Sequence, residues 1–160
     1  MNIFVTVGAQ IPFDRLIIAV DGWAAARKTE HSFFSQVGEQ GYRPAHMDFT
    51  ELLEPPAFKQ RVLWADVLVA HAGMGSILSA LQYGKPILVM PRLGRLKETR
   101  NDHQVATAER FLEMGKVSVA MDEREIPAKL DSLSSLSRAE KISDCASGEL
   151  LSAIRNFIHA

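Results

Sequence analysis

The chain has 160 residues, of which 47% are hydrophobic and 23% are charged, and its formal net charge is -1. This balance argues against a nucleic-acid partner, because nucleic-acid-binding surfaces are strongly basic. The single cysteine, Cys145, excludes an internal disulfide and a cysteine-based metal site, and it favours a reducing compartment such as the cytoplasm. The length predicts one domain over residues 1–160.

The predicted elements alternate between short apolar runs and amphipathic segments. Runs rich in β-branched and aromatic residues predict strands at 3–7, 33–37, 46–49, 67–70, 87–90 and 117–120. Apolar residues at helical spacing predict helices at 12–28, 55–63, 77–83, 101–115, 126–136 and 149–158. This alternation implies an α/β fold, with a Rossmann-like, mainly parallel sheet covered by helices on both faces.

The sequence makes more detailed predictions for two of these helices. Arg27 and Lys28 should occupy the last turn of the first helix, where positive charge suits the helix dipole. In the helix that begins near Asn101, Val105, Ala108 and Leu112 should share the buried face.

The C-terminal part, residues 132–160, begins with a serine-rich stretch and ends in an apolar-faced helix. Serine-rich segments are typical of flexible linkers, so residues 132–147 are expected to form a mobile connection or a frayed helix. The final helix has apolar side chains at 150, 151, 154, 157 and 158. Two interpretations stay open: this face docks a partner, or it packs on the chain's own sheet.

A glycine turn follows the apolar run that starts at Val67. Gly73 and Gly75 lack Cβ atoms and would let a ligand approach the backbone, with Met74 between them. Ser76 is expected to cap the following helix, whose free N–H groups attract phosphate. His71, at the strand end, would either donate to a phosphate, act as a base, or only satisfy local backbone groups. The alternative for the whole turn is a tight connection without a ligand.

The segment Asn101, Asp102, His103 and Gln104 starts a helix expected to lie at the same sheet edge as the glycine turn. Asn101 is expected to be its cap and Asp102 to serve its dipole. Gln104 has no capping role there, so it is the better candidate for ligand contact.

The segment before it is basic. Arg92, Arg95, Lys97 and Arg100 form a basic loop with Glu98, interpreted either as a solvated loop or as a contact for an anionic substrate, partner or lipid surface.

Several common site motifs do not occur. The sequence has no Walker A loop and no nucleophile elbow. The dinucleotide fingerprint fails because Leu78 occupies its third glycine position. The histidines are scattered, which predicts no metal site.

Five motifs in order resemble the C-terminal domain of glycosyltransferase family 28. They are the segments at 4–8, 12–17, 71–77, 84–86 and 101–104, and the likeness covers roughly residues 1–119. It is nearest to stand-alone versions of this MurG-like domain, namely PssE-type subunits and the small subunit of the two-subunit UDP-N-acetylglucosamine transferase.

The resemblance implies one half of a GT-B enzyme that binds a UDP-sugar donor without a metal or other cofactor. Gly8 would let the diphosphate or sugar approach the first strand, and His71 with the glycine turn would hold the phosphates. Gln104, with Asp102 or His103, would contact the ribose or the transferred sugar. Two positions depart from the family: Ser79 replaces the acid used for ribose, and Ala9 replaces a common threonine.

The resemblance also implies a heteromer. A GT-B enzyme needs a second domain for its acceptor, and this would be a membrane-anchored PssD-type subunit that brings a lipid-linked glycan. The enzyme would transfer a hexose to this glycan with inversion of configuration, in polysaccharide biosynthesis at the cytoplasmic face of the membrane. The alternatives are a non-catalytic nucleotide-sugar sensor or assembly module, and a self-associating GT-B-like epimerase.

Overall fold

A six-stranded parallel sheet forms the centre of the molecule. The computed structural model describes residues 1–132, 141–142 and 145–159. The strands are β1 (Asn2–Thr6), β2 (Ser32–Gln36), β3 (Asp48–Thr50), β4 (Val67–His71), β5 (Ile87–Met90) and β6 (Ser118–Val119). Their order is β3-β2-β1-β4-β5-β6, and every neighbouring pair is parallel. The predicted parallel sheet is therefore confirmed.

Helices cover both faces of this sheet, as predicted. They are α1 (Asp14–Ala24), α2 (Pro55–Trp64), α3 (Met74–Gln82), α4 (His103–Glu113), α5 (Ile126–Asp131) and α6 (Gly148–Ile158). Alternate strand residues point to opposite faces, so Ile3 and Val5 pack with α1 and α5 in one apolar cluster. Phe4 packs with α2, α3 and α4 in the second cluster. The architecture is the Rossmann-like half of a GT-B fold.

The first helix ends earlier than the charge pattern predicts. Helix α1 stops at Ala24, so Arg27 and Lys28 lie in the turns beyond it. The guanidinium of Arg27 instead lies 4.6 Å from the centre of the Trp23 ring and forms an ion pair of 2.6 Å with Asp131. This contact with the C-terminal end of α5 accounts for its position better than the helix dipole.

The buried face of α4 also differs from the prediction. Ala108 is buried, but Leu112 is half-exposed, and Gln104 and Phe111 share the inner face with Ala108. These positions are four and three residues apart, which is helical spacing. The first position of the inner face is the polar residue Gln104. A prediction based only on apolar residues therefore placed the buried face incorrectly.

The remaining boundaries differ by small amounts. Strand β3 covers Asp48–Thr50 instead of 46–49, because His46 is held in the preceding loop by Asp21, whose carboxylate accepts from the His46 backbone N–H at 2.8 Å. Helix α5 ends at Asp131, and the rest of the predicted 126–136 helix lies outside the described residues, as does most of the serine-rich stretch. Helix α6 forms as predicted, and all its residues are exposed.

Candidate functional site

A cleft of about 670 Å³ lies at the carboxyl edge of the sheet. Because the strands are parallel, the loops that follow β1, β4 and β5 meet at this edge, which is where open α/β sheets bind ligands. The cleft is lined by Val7, Gly8, Ala9, Gln10, Ile11, Gln36, Leu53, Pro55, Phe58, His71, Gly73, Met74, Gly75, Ser76, Ser79, Arg92, Glu98, Thr99, His103 and Gln104.

Most of the predicted site residues meet in this cleft. Those that line it are Gly8, His71, Gly73, Met74, Gly75, Ser76, His103 and Gln104. Asn101 and Asp102 are outside its lining and shape its edge instead. The Asn101 side chain accepts from the backbone N–H of His103 at 3.2 Å, and the Asp102 carboxylate accepts from that of Gly94 at 2.8 Å. The structure thus brings the two predicted motifs together, and their ligand contacts remain predictions.

The start of α3 corrects the expected capping role of Ser76. The helix begins at Met74 with Gly73 at the cap position, so Ser76 lies inside the first turn. Within the part of the chain that the structure describes, no side chain caps this helix. The backbone N–H groups of its first turn have no intrahelical acceptor, and this end carries the positive pole of the helix dipole. The uncapped start is therefore a suitable place for an anion.

A directed chain of hydrogen bonds fixes the ring of His71. The backbone N–H of Arg92 donates to Oε1 of Gln104 at 3.2 Å, which leaves the amide nitrogen of Gln104 3.3 Å from Nδ1 of His71. An amide nitrogen can only donate, so Nδ1 accepts and the ring proton is on Nε2. Nε2 then donates to the hydroxyl oxygen of Ser76 at 3.2 Å. The hydroxyl hydrogen of Ser76 stays available for a ligand.

His71 is neutral at physiological pH. Its pKa is lowered to about 4, first because burial disfavours the charged imidazolium, and second because the guanidinium of Arg92 repels it. Its basic nitrogen, Nδ1, is occupied by the Gln104 amide. This geometry favours a ligand-positioning role over the base role, which stays an untested prediction.

Three glycines give the cleft its shape, for different reasons. Gly8 has a φ of +80°, and a Cβ atom there would lie 2.8 Å from Nε2 of His71. A Cβ atom on Gly73 would overlap the same ring and lie 2.7 Å from its Nδ1. A Cβ atom on Gly75 would meet nothing within 4 Å. Gly8 and Gly73 therefore make room for His71, whereas Gly75 leaves open space at the start of α3.

The four basic side chains of the loop differ in their exposure to solvent. Arg95, Lys97 and Arg100 are exposed, but Arg92 is only 4% exposed. The Arg92 guanidinium donates to the backbone carbonyl oxygens of Val7 at 2.9 Å and Pro12 at 2.8 Å, and also to that of Ile11. The interpretation as a solvated loop is wrong for this buried arginine, whereas a contact of the loop with an anionic substrate, partner or lipid surface stays a prediction.

Part of the cleft wall was not predicted from the sequence. Gln36 ends β2 beside β1, and its amide donates to the carbonyl oxygen of Gly8 at 3.0 Å. A polar residue at the carboxyl end of a strand was the available signal. Leu53 and Phe58 add an apolar wall from the loop before α2 and from α2 itself. No local sequence signal marks them, because only the tertiary fold brings α2 to this edge.

The described residues contain neither a cluster of metal-ligating side chains nor a candidate membrane span. Across these ranges, no group of three or more His, Cys, Asp or Glu side chains is arranged to hold a metal ion. No helix in the same part of the chain has the length and hydropathy needed to cross a bilayer.

Comparisons with known proteins point to one family. The model of the glycosyltransferase family 28 C-terminal domain matches residues 2–150 of this chain. No curated protein sequence matches it.

Several solved structures share the fold. The solution structure of ALG13 superposes with a TM-score of 0.61 at 19% identity, covering 99% of this chain and 96% of that one. MurG from Acinetobacter baumannii gives a TM-score of 0.62 at 17% identity, covering 98% of this chain and 49% of MurG. The glycotransferase of kitacinnamycin gives 0.59 at 24% identity, covering 99% of this chain and 38% of its own. The chain thus spans half or less of the last two proteins.

Proposed function

This chain belongs to the glycosyltransferase family 28 C-terminal domain family, and on that premise we propose that its cleft binds the diphosphate of a UDP-sugar donor. The observation that carries the proposal is the uncapped start of α3, which faces the cleft beside the open space at Gly75. Backbone N–H groups and the helix dipole together favour an anion there.

The side chains around this helix start suit the same ligand. Ser76 has a hydroxyl hydrogen to donate, because its oxygen already accepts from Nε2 of His71. These fixed donors would stabilise the charge that develops on the UDP oxygen when the bond to the sugar breaks. We therefore propose a transfer that needs no metal, and the resemblance to the family implies that it is inverting. Addition of EDTA should leave the affinity for UDP unchanged.

A titration of UDP against the isolated chain tests the donor site. We expect saturable binding, with NMR shifts at Gly75 and Ser76, and we expect Gly75→Asp to abolish it by placing a carboxylate where the phosphates would lie. Gly148→Asp is a matched control, because Gly148 also lies in the first turn of a helix, α6, with nothing within 4 Å of its Cβ position, and it is outside the cleft. Absence of saturable binding at millimolar UDP, with Gly75→Asp behaving like the unchanged chain, contradicts the donor-site proposal.

We further propose that a separate membrane-anchored subunit of the PssD type completes the enzyme. Two exposed apolar surfaces support this. Ile11 and Met74 line the cleft and are 48% and 47% exposed. Helix α6 carries Leu150, Leu151, Ile154, Phe157 and Ile158 on one face, with Phe157 86% exposed. Apolar surfaces of this kind mark sites of protein association.

In this proposal the partner covers the cleft, supplies the base and presents a lipid-linked glycan that accepts a hexose. The enzyme would then work at the cytoplasmic face of the membrane, in polysaccharide biosynthesis. Co-purification from the source membrane, followed by a UDP-release assay, tests the assignment. Turnover should appear only when chain and partner are both present.

The alternative is a non-catalytic nucleotide-sugar sensor or assembly module. Such a protein would bind UDP-sugar alone, and no partner would give it activity. The same assay therefore separates the two functions.

A further inference from the structure

Arg92 lies under the cleft and joins two of its walls. It follows β5, and its guanidinium donates to the carbonyl oxygens of Val7, Ile11 and Pro12 in the loop after β1. That loop contains Gly8 and forms one side of the cleft. The guanidinium also lies 4.7 Å from the centre of the Phe13 ring. Arg92 therefore fixes the position of this loop relative to the strands.

The acceptors around Arg92 satisfy its N–H groups without cancelling its charge, because backbone carbonyls are neutral. Glu98 attracts Arg92 electrostatically, but both of its carboxylate oxygens form hydrogen bonds to other groups. They accept from Arg15 at 2.8 Å each, and one also accepts from the backbone N–H of Leu93 at 2.9 Å. Glu123 is the second partner of Arg15, and its side chain is 43% exposed, so solvent screens it. Of the largely buried side chains in this cluster, Arg15 and Arg92 are positively charged and Glu98 is negatively charged.

Arg92 lines the cleft together with His71, so its charge acts on groups inside the cleft. It lowers the pKa of His71, second only to burial, and no carboxylate acts in the opposite direction on that ring. An anion bound beside His71 would be attracted by the same field that repels the imidazolium.

We propose that Arg92 is a specificity-determining and positioning residue: it holds the loop of residues 7–12 in place and supplies positive charge, only partly offset by Glu98, that makes the cleft prefer a diphosphate over an uncharged nucleoside. This inference rests on the proposed donor site. Arg92 acts through the field and through the loop, since its N–H groups are occupied by the protein itself.

The test compares UDP with uridine as probes, using NMR titration of the full chain. In Arg92→Met, we expect the affinity for UDP to fall on the order of 10-fold, the size expected for one partly screened charge. The affinity for uridine should fall much less. Arg92→Lys keeps the charge and should keep the ratio of UDP to uridine affinity within about threefold, even if loss of the planar fork weakens both. Arg110→Met is the control, because Arg110 is a surface residue whose side chain is 72% exposed.

Each outcome decides the proposal. The proposal is overturned if Arg92→Met leaves the ratio of UDP to uridine affinity unchanged, that is, if both probes lose affinity equally. Arg92 would then be a purely structural residue. If Arg92→Met does not fold, Arg92→Gln carries the same expectation. If the unchanged chain does not bind UDP, the donor site itself fails, and the charge claim is decided by NMR titration of His71. Its pKa should rise in Arg92→Met, and an unaltered pKa refutes the claim.

Discussion

Alanine at Gly73 and at Gly75, only two residues apart, should have opposite effects on stability. Gly73 has a φ of -85°, which alanine adopts easily, so the backbone is not the obstacle. The obstacle is the ring of His71, which a Cβ atom would overlap. The ring would have to leave its site, losing its hydrogen bonds to Ser76 and Gln104. Overpacking costs about 1–3 kcal/mol and each lost bond about 1 kcal/mol. We expect Gly73→Ala to lower the free energy of unfolding by about 3 kcal/mol.

Gly75→Ala is the matched variant. Its Cβ atom would meet nothing within 4 Å, and alanine is the better helix former, so the free energy of unfolding should rise by up to about 1 kcal/mol. Urea denaturation followed by circular dichroism measures both values. The reasoning fails if Gly73→Ala is as stable as the unchanged chain. Gly75→Ala should also bind UDP more weakly despite its greater stability, because its methyl group enters the space proposed for the phosphates.

Three further predictions concern the pH dependence, the ion pairs and α6. Because the unfolded chain protonates His71 near pH 6.5 and the folded chain only near 4, acidification over this range should remove about 3 kcal/mol of stability. Urea denaturation at several pH values measures this loss, and His71→Asn should reduce it. Arg15→Met breaks a pair with Glu98 whose side chains are 14% and 15% exposed, and it should cost about 3 kcal/mol in the same assay, whereas Arg110→Met should cost nothing measurable. Phe157→Ser, on the exposed face of α6, should leave the melting temperature unchanged but reduce recovery of the membrane partner in a pull-down; equal recovery contradicts the docking role.

Local patterns in the sequence predicted the fold well. Most strands coincide with short runs rich in apolar residues, although β3 has only one apolar side chain. The parallel direction of the strands follows from their alternation with helices, so neither feature required knowledge of distant contacts. The same rule placed the glycine turn and the 101–104 segment at one edge. The cleft confirms that proximity, because Gly73 and Gln104 both line it.

The errors concern residues whose roles depend on distant partners. The sequence around Ser76 predicts a helix cap, but the helix starts at Met74, two residues before Ser76. The hydroxyl oxygen of Ser76 instead accepts a hydrogen bond from His71. One of the two interpretations placed Arg92 in a solvated loop, because charged side chains are usually exposed. It is buried because its carbonyl acceptors come from the loop after β1, some 80 residues away in sequence. A single sequence contains no signal for contacts of that range.

Strand β1 lies in the interior of the sheet, between β2 and β4, although it precedes both of them in sequence. Its second neighbour is complete only when His71 has been added. Until then a nascent chain presents one unpaired edge of a strand whose residues from Ile3 onward are buried in the finished protein. Such edges recruit other strands. A fragment that stops before Val67 should therefore aggregate more readily than one that extends through His71, because only the longer fragment can pair both edges of β1.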